Sequence, residues 1–270
     1  MWARYVTPLY SHGSADRWEQ IVAGEAKAVA MQQELALRGK PPQHQRQRQR
    51  AQQQEAITAV VTARMQAATD YVESLVLLHH LAGERSGQGG SYIHCDAREG
   101  PAKLLSQYVV PPDLRLLLND VDATPWARSI AAEAAAGGGG AAAGAAAAAP
   151  VVAKCGHLQF SAREFVAPEQ LWPHTGARFN DAEMPGYDEK SDIWRVPRTV
   201  EALLGAELLA ALFASEPHGP VLAAQWELLR AACAAVDPAA RPDARKVALL
   251  LATFSQTAAT SRSNDLDLDF

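Results

Sequence analysis

Two aspartates stand out for what they could do together: Asp96 in "IHCD" and Asp120 in "NDVDA", each closing a short apolar run. Phosphoryl transfer needs a carboxylate that orients and deprotonates an accepting hydroxyl. It also needs hard oxygen ligands for the magnesium ions that bridge nucleotide phosphates. Two acidic side chains on neighbouring strand ends can supply both. Asp122 competes with Asp120, and either could instead close a turn through hydrogen bonds to nearby backbone. The apolar run 116–118 favours Asp120, because it delivers that residue at a strand end. Further along come Glu169 in "FVAPEQLWP", Asp192 and Trp194 in "SDIW", and Arg241 in "DPAARPDARKV".

Helices and short strands must hold these groups. "EAITAVVTARMQAATDYVESLVLLHHLAGE" carries Val60, Met65, Ala68, Val72, Leu75 and Leu78 at helical spacing and predicts a long amphipathic helix with a buried face. His79 and His80 near its end read as helix termination favoured by the dipole, not as metal ligands. "SYIHCD", "LLSQYVV" and "LRLLLNDVDA" are brief apolar runs bounded by Gly, Pro or Asp, the size of short strands leading into loops. Past Trp172, "TVEALLGAELLAALFAS", "PVLAAQWELLRAACAAV" and "DARKVALLLATF" return to helical patterning. A long helix, a patch of short strands and then a helical bundle is an α+β arrangement, mainly α.

Two low-complexity tracts divide the chain. "GKPPQHQRQRQRAQQQ", residues 39–54, reads as a solvated linker or frayed helix, in preference to a basic nucleic-acid or membrane patch. "AAEAAAGGGGAAAGAAAAAP", residues 131–150, reads as a disordered surface insertion, and 257–270 as a disordered acidic tail. Residues 1–55 are expected to comprise a leading segment, a short helix and the Gln/Arg-rich linker, and 56–256 the main folded unit with the insertion at 131–150.

With 270 residues, 48% of them hydrophobic, the chain can bury a sizeable core. A net charge of -5 argues against a general nucleic-acid binder, whose footprint would be basic. The three cysteines, Cys95, Cys155 and Cys233, lack the paired spacing of a zinc site. No secretory start is written at the N-terminus, and "AAAGAAAAAPVVA" is too short and too broken to span a bilayer, so a soluble chain is expected.

In order and spacing these motifs resemble the large lobe of protein kinases. There the base comes from a His-Arg-Asp loop, a metal ligand from an Asp-Phe-Gly turn, and an Ala-Pro-Glu triplet follows. The stretches "CD", "LLSQY", "NDVDA", "KCGH", "FVAPEQLWP", "MPGYDEKSDIW" and the 233–242 segment resemble, more narrowly, the protein O-mannose kinase family, over residues 57–254 apart from the Ala/Gly insertion.

That resemblance implies a kinase-like C-terminal lobe. It implies ATP and Mg2+ as cofactors and phosphorylation of the 6-hydroxyl of an O-linked mannose within a glycoprotein trisaccharide. Asp96 would be the catalytic base and Asp120 a magnesium ligand. Aligning "SQYVV" with the strand after the usual metal-binding asparagine places Gln107 as second ligand, although a glutamine there is more often structural. Lys103 would neutralise transferring phosphate. Glu169 would pair with Arg241, bidentate if buried. Asp192 would brace the catalytic-loop backbone from the central helix, with Trp194 beside it in the scaffold.

Cys95 stands where many kinases keep the arginine that grips a phosphorylated activation segment. With Cys155 it could form a disulfide in an oxidising lumen, or both could be buried thiols. The family implies an endoplasmic reticulum location facing the lumen, with an N-terminal membrane anchor that these residues do not include. No glycine-rich loop or strand lysine precedes the long helix, so "MWARYVTPLYSHGSADRWEQIV" resembles the hinge between the lobes, and a fragment without the small lobe is expected. The alternative is an inactive kinase-like module that binds a glycan or a protein.

Overall fold

The computed structural model describes residues 13–15, 18, 20, 21, 23, 24, 27, 43–86, 90–95, 100–111, 113–121, 124–127, 165–174, 176–180, 183, 184 and 186–262. For 13, 14, 43–54, 56, 81–86, 261 and 262 it describes the backbone alone. The chain is mostly helical, with a few small strands.

The longest element, α1 (Gln43–Ser86), runs unbroken for 44 residues. Its buried face follows the apolar periodicity: Val61, Met65, Ala68, Val72, Leu75 and Leu78 are all buried, and Val60 packs against them partly covered. The helix starts within the Gln/Arg-rich tract, so residues 43–54 are helical rather than linker. Arginine and glutamine are good helix formers, and an apolar face already anchored downstream lets the helix propagate back through them. It also runs past Gly83, which does not terminate it.

Two small antiparallel sheets flank α1. Strand β1 (Gly13–Ser14) pairs with β3 (Tyr108–Val110), and β3 pairs with β4 (Leu117–Leu118), with Val109 opposite Leu117 and Tyr108 opposite Leu118. Strand β2 (Ser91–Tyr92) pairs with β5 (Trp126–Ala127). The run "LLSQYVV" is only half strand. Leu104 and Leu105 end a short helix, α2 (Pro101–Leu105), that Pro101 opens at its first turn, where a missing N–H costs nothing.

The C-terminal half is a helical bundle of α3 (Lys190–Leu204), α4 (Ala206–Ala214), α5 (Gly219–Cys233) and α6 (Ala244–Arg262). The stretch read as one helix, 199–215, is broken at Gly205, whose φ of 81° suits glycine and turns the chain between α3 and α4. Trp18 Nε1 donates to the Leu203 carbonyl at 2.7 Å, and Arg64 donates to the Leu203 and Leu204 carbonyls at 3.0 Å each. These bonds satisfy carbonyls that the end of α3 leaves without intrahelical partners. Helix α6 continues to Arg262 with Ala258 fully buried, so the tail expected from residue 257 begins no earlier than 263. Helix α1 packs against both α3 and α6, which makes α3 the buried centre of the bundle.

Candidate active site

Strands β3 and β4 bring Gln107 and Asp120 together. The Gln107 carbonyl accepts the backbone N–H of Asn119 at 2.9 Å and that of Asp120 at 3.0 Å, so the two residues are joined through the main chain. Gln107 is buried, and its amide nitrogen donates to Ser106 Oγ at 3.1 Å. Asp120 is exposed two residues beyond β4. Lys103, half-buried, lies on α2, where its carbonyl accepts the Ser106 hydroxyl at 2.7 Å.

The position of β4 is fixed from α1 by a residue that sequence reasoning missed. Asp70 is buried and accepts the Leu116 N–H at 2.8 Å and the Arg115 guanidinium at 2.7–3.0 Å, with Gln66 adding a bond at 2.9 Å. A buried carboxylate is stable only when its lone pairs are used, and here four donors use them. An aspartate among Ala67, Ala68, Tyr71 and Val72, on the buried stripe of an amphipathic helix, was the available signal.

Glu169 sits in a short 3-10 turn, Pro168–Gln170, and meets Arg241 from the far end of the chain. The guanidinium donates to both carboxylate oxygens, at 2.5 and 2.8 Å. Arg241 also donates to the carbonyls of Ala235, Lys190 and Val236, while Lys190 Nζ donates to the Arg241 carbonyl. Its guanidinium carbon stands 5.1 Å from the centre of the Trp194 ring, a cation–π contact. Every nitrogen of the planar fork is used, which a lysine could not reproduce.

Asp192, on α3, is almost fully buried. Its Oδ2 accepts the His94 backbone N–H at 3.0 Å and His79 Nε2 at 3.1 Å. Arg195 lies 3.2 Å from its Oδ1. Burial opposes the charge on Asp192, but the His79 hydrogen bond and the Arg195 charge outweigh it and hold the carboxyl below its ordinary range. His79 is thus not a helix terminator. It is buried about two turns before the helix ends at Ser86, on the face that already carries Met65, Val72 and Leu75, and its own carbonyl accepts Ser91 Oγ at 3.0 Å.

Asp96, Asp122 and Cys155, with the insertion 131–150, lie outside the described residues. Cys95 is disulfide-bonded, and Cys233 is a free, buried thiol that desolvation pushes up to about 12. No group of three or more His, Cys, Asp and Glu with metal-holding geometry occurs among the described residues. No described helix is long and apolar enough to cross a membrane. Tyr92, Leu117 and Val121, around the strand ends, are exposed.

No family model matches the chain. It is 33% identical over 185 residues to Protein O-mannose kinase of Gallus gallus, a stretch that is 68% of this chain and 42% of the chicken protein. To the proteins of that name from Homo sapiens and Macaca fascicularis it is 36% identical over 143 residues, 53% of this chain and 33% of each relative. The chain therefore spans less than half the length of the curated relatives it matches. Over half to two thirds of its own length, it is similar in sequence to protein O-mannose kinases.

Proposed function

We propose that the chain forms the large lobe of an ATP-dependent kinase that phosphorylates the 6-hydroxyl of an O-linked mannose in a glycoprotein trisaccharide. Kinase relatives at 33–36% identity support the reaction class. The observation that carries the reading is the junction of Asp120 to Gln107, together with the buried frame in which Asp192 holds the His94 backbone, two residues before Asp96 in the sequence.

The donor set suits magnesium. The ion keeps several waters and takes one or two carboxylates plus substrate phosphates, so it needs no closed acidic cage. An exposed carboxylate on Asp120 and the amide oxygen of Gln107 are hard donors of that kind. When bound, Mg2+ would neutralise charge on the nucleotide phosphates. Asp96 serves as the base that orients and deprotonates the mannose hydroxyl, and Lys103 as a cation for the transferring group. Arg241, Glu169, Trp194 and Asp192 touch no substrate in this scheme and hold the frame. The disulfide at Cys95 fits an oxidising compartment such as the endoplasmic reticulum lumen.

The test is phosphate transfer from ATP to a mannose trisaccharide by the full-length protein, with Asp96→Asn alongside. Transfer that the variant abolishes is the expected result. Undiminished transfer by the variant removes Asp96 as the base. Glycan binding without transfer by the wild type replaces the kinase reading with that of a binding module.

A further inference from the structure

Behind the site lies a buried polar group whose connections reach in two directions. Arg195, on α3, is 3% exposed. One arm of its guanidinium donates to the His94 carbonyl at 2.6 Å and lies 3.2 Å from Asp192. The other arm donates to the side-chain oxygen of Gln170 at 2.9 Å, and that same oxygen accepts the Ala167 N–H at 3.3 Å. His94 and Gln170 are themselves buried, at 2% and 4% exposure. One side chain thus bridges the backbone that leads into Asp96 and the turn that carries Glu169.

A bridge so placed costs a great deal to bury. Taking a guanidinium out of water is strongly unfavourable unless a partner charge and hydrogen bonds compensate it. Here Asp192 supplies the charge, and two acceptors from separate segments supply the bonds. In a low-dielectric interior such bonds are strong and their geometry narrow, so displacement of either segment is resisted by the other. Cys95, disulfide-bonded, offers no cation for this purpose.

We propose that Arg195 is a positioning residue that locks the loop at His94 to the turn at Ala167–Gln170 in one arrangement, so that the site is organised without phosphorylation of the intervening segment. The inference rests on the kinase reading for what the site does. The mechanical coupling itself stands apart from that reading and is measured separately.

Three variants test it. Gln170→Leu severs one leg and leaves Arg195 with Asp192 and His94; Arg195→Met severs both. In hydrogen exchange, Gln170→Leu should raise exchange at both 91–95 and 165–171 by at least roughly tenfold, the factor corresponding to one hydrogen bond to a charged group. Gln170→Glu, which keeps an acceptor, should restore protection at both. Exchange that rises only at 165–171 overturns the coupling, whether or not the protein transfers phosphate. In the full-length enzyme, Gln170→Leu should lower kcat about tenfold with KM for ATP unchanged, and phosphatase treatment of the wild type should leave kcat where it was. A wild type that loses activity on phosphatase treatment overturns the claim of constitutive organisation. Gln170→Leu with wild-type kcat does the same for the positioning role.

Discussion

The two sides of the candidate site are built differently. Behind it, Asp192, Arg195, His79, Gln170 and Arg241 are all buried, and each makes at least one side-chain hydrogen bond across a long sequence separation. In front, Asp120 is exposed and Lys103 half-buried, on a two-residue strand's exit and a five-residue helix. The frame spends burial on rigidity; the working face keeps its charges accessible. Solvated carboxylates can accept an ion or a hydroxyl, whereas the lone pairs of Asp70 are taken by four donors and Asp192 is shut away from solvent. Substitutions behind the site should therefore lower stability, and at Arg195 and Gln170 reach the chemistry only through the position of the loop, whereas those in front should lower transfer with little change in stability.

Arg241 gives the largest effect. Arg241→Ala leaves the Glu169 carboxylate without its bidentate partner and three carbonyls without their donor, which costs about 3–5 kcal/mol. Thermal unfolding should show Tm lower by roughly 10 °C. Arg241→Lys should recover only part of it, because an ammonium cannot span both oxygens. A shift within about 1 °C would place the pair among surface ion pairs of little consequence.

Asp120→Asn should do the reverse. We expect transfer to fall by roughly 10²-fold or more through loss of a charged ligand, with Tm almost unchanged, as for other exposed substitutions. Parallel assays of transfer and unfolding separate the two. A variant that unfolds early but keeps its specific activity would erase the distinction between frame and face.

The same division explains what the sequence made legible. The buried stripe of α1 and the distant match of Glu169 with Arg241 are readable because periodicity and residue type encode them. His79 was readable too, since it stands one heptad beyond Val72 and two beyond Met65, on the stripe. Treating the pair of histidines as a helix end hid it. The reach of α1 back to Gln43 left linker and frayed helix as equal readings of the tract, because a polar tract shows no apolar period even when its residues favour helix. At the working face, the bond from the Asp120 N–H to the Gln107 carbonyl involves main chain alone, which no side-chain pattern records. The clamp of Asp70 on Arg115 and Leu116 depends on tertiary pairing of α1 with β4, which the linear pattern does not contain.

His79→Ala probes the frame at a smaller scale. It removes one of the two donors to Asp192 Oδ2 while His94 and Arg195 remain, so about 1–3 kcal/mol of stability should be lost in urea unfolding. Should the loss be nil, the histidine is only a space-filling group under the loop.

The smallest effect is a pH dependence, and its sign follows from Asp192. Despite full burial, the hydrogen bond from His79 and the charges of Arg195, His79 and His94 hold its carboxyl below the ordinary value. A folded-state pKa below the unfolded one, about 3.9, makes a contribution that is complete above that unfolded value. As pH falls through the depressed range, the folded carboxylate takes up its proton and the contribution disappears. Asp192→Asn keeps the shape and one acceptor oxygen but has no proton to gain. The Tm gap between wild type and variant should therefore be constant from pH 7 to about 5 and close progressively below about 4. A gap that stays open at low pH would mean that the attraction of the cations around Asp192 adds nothing to the fold, and that His94 is held by its hydrogen bond alone.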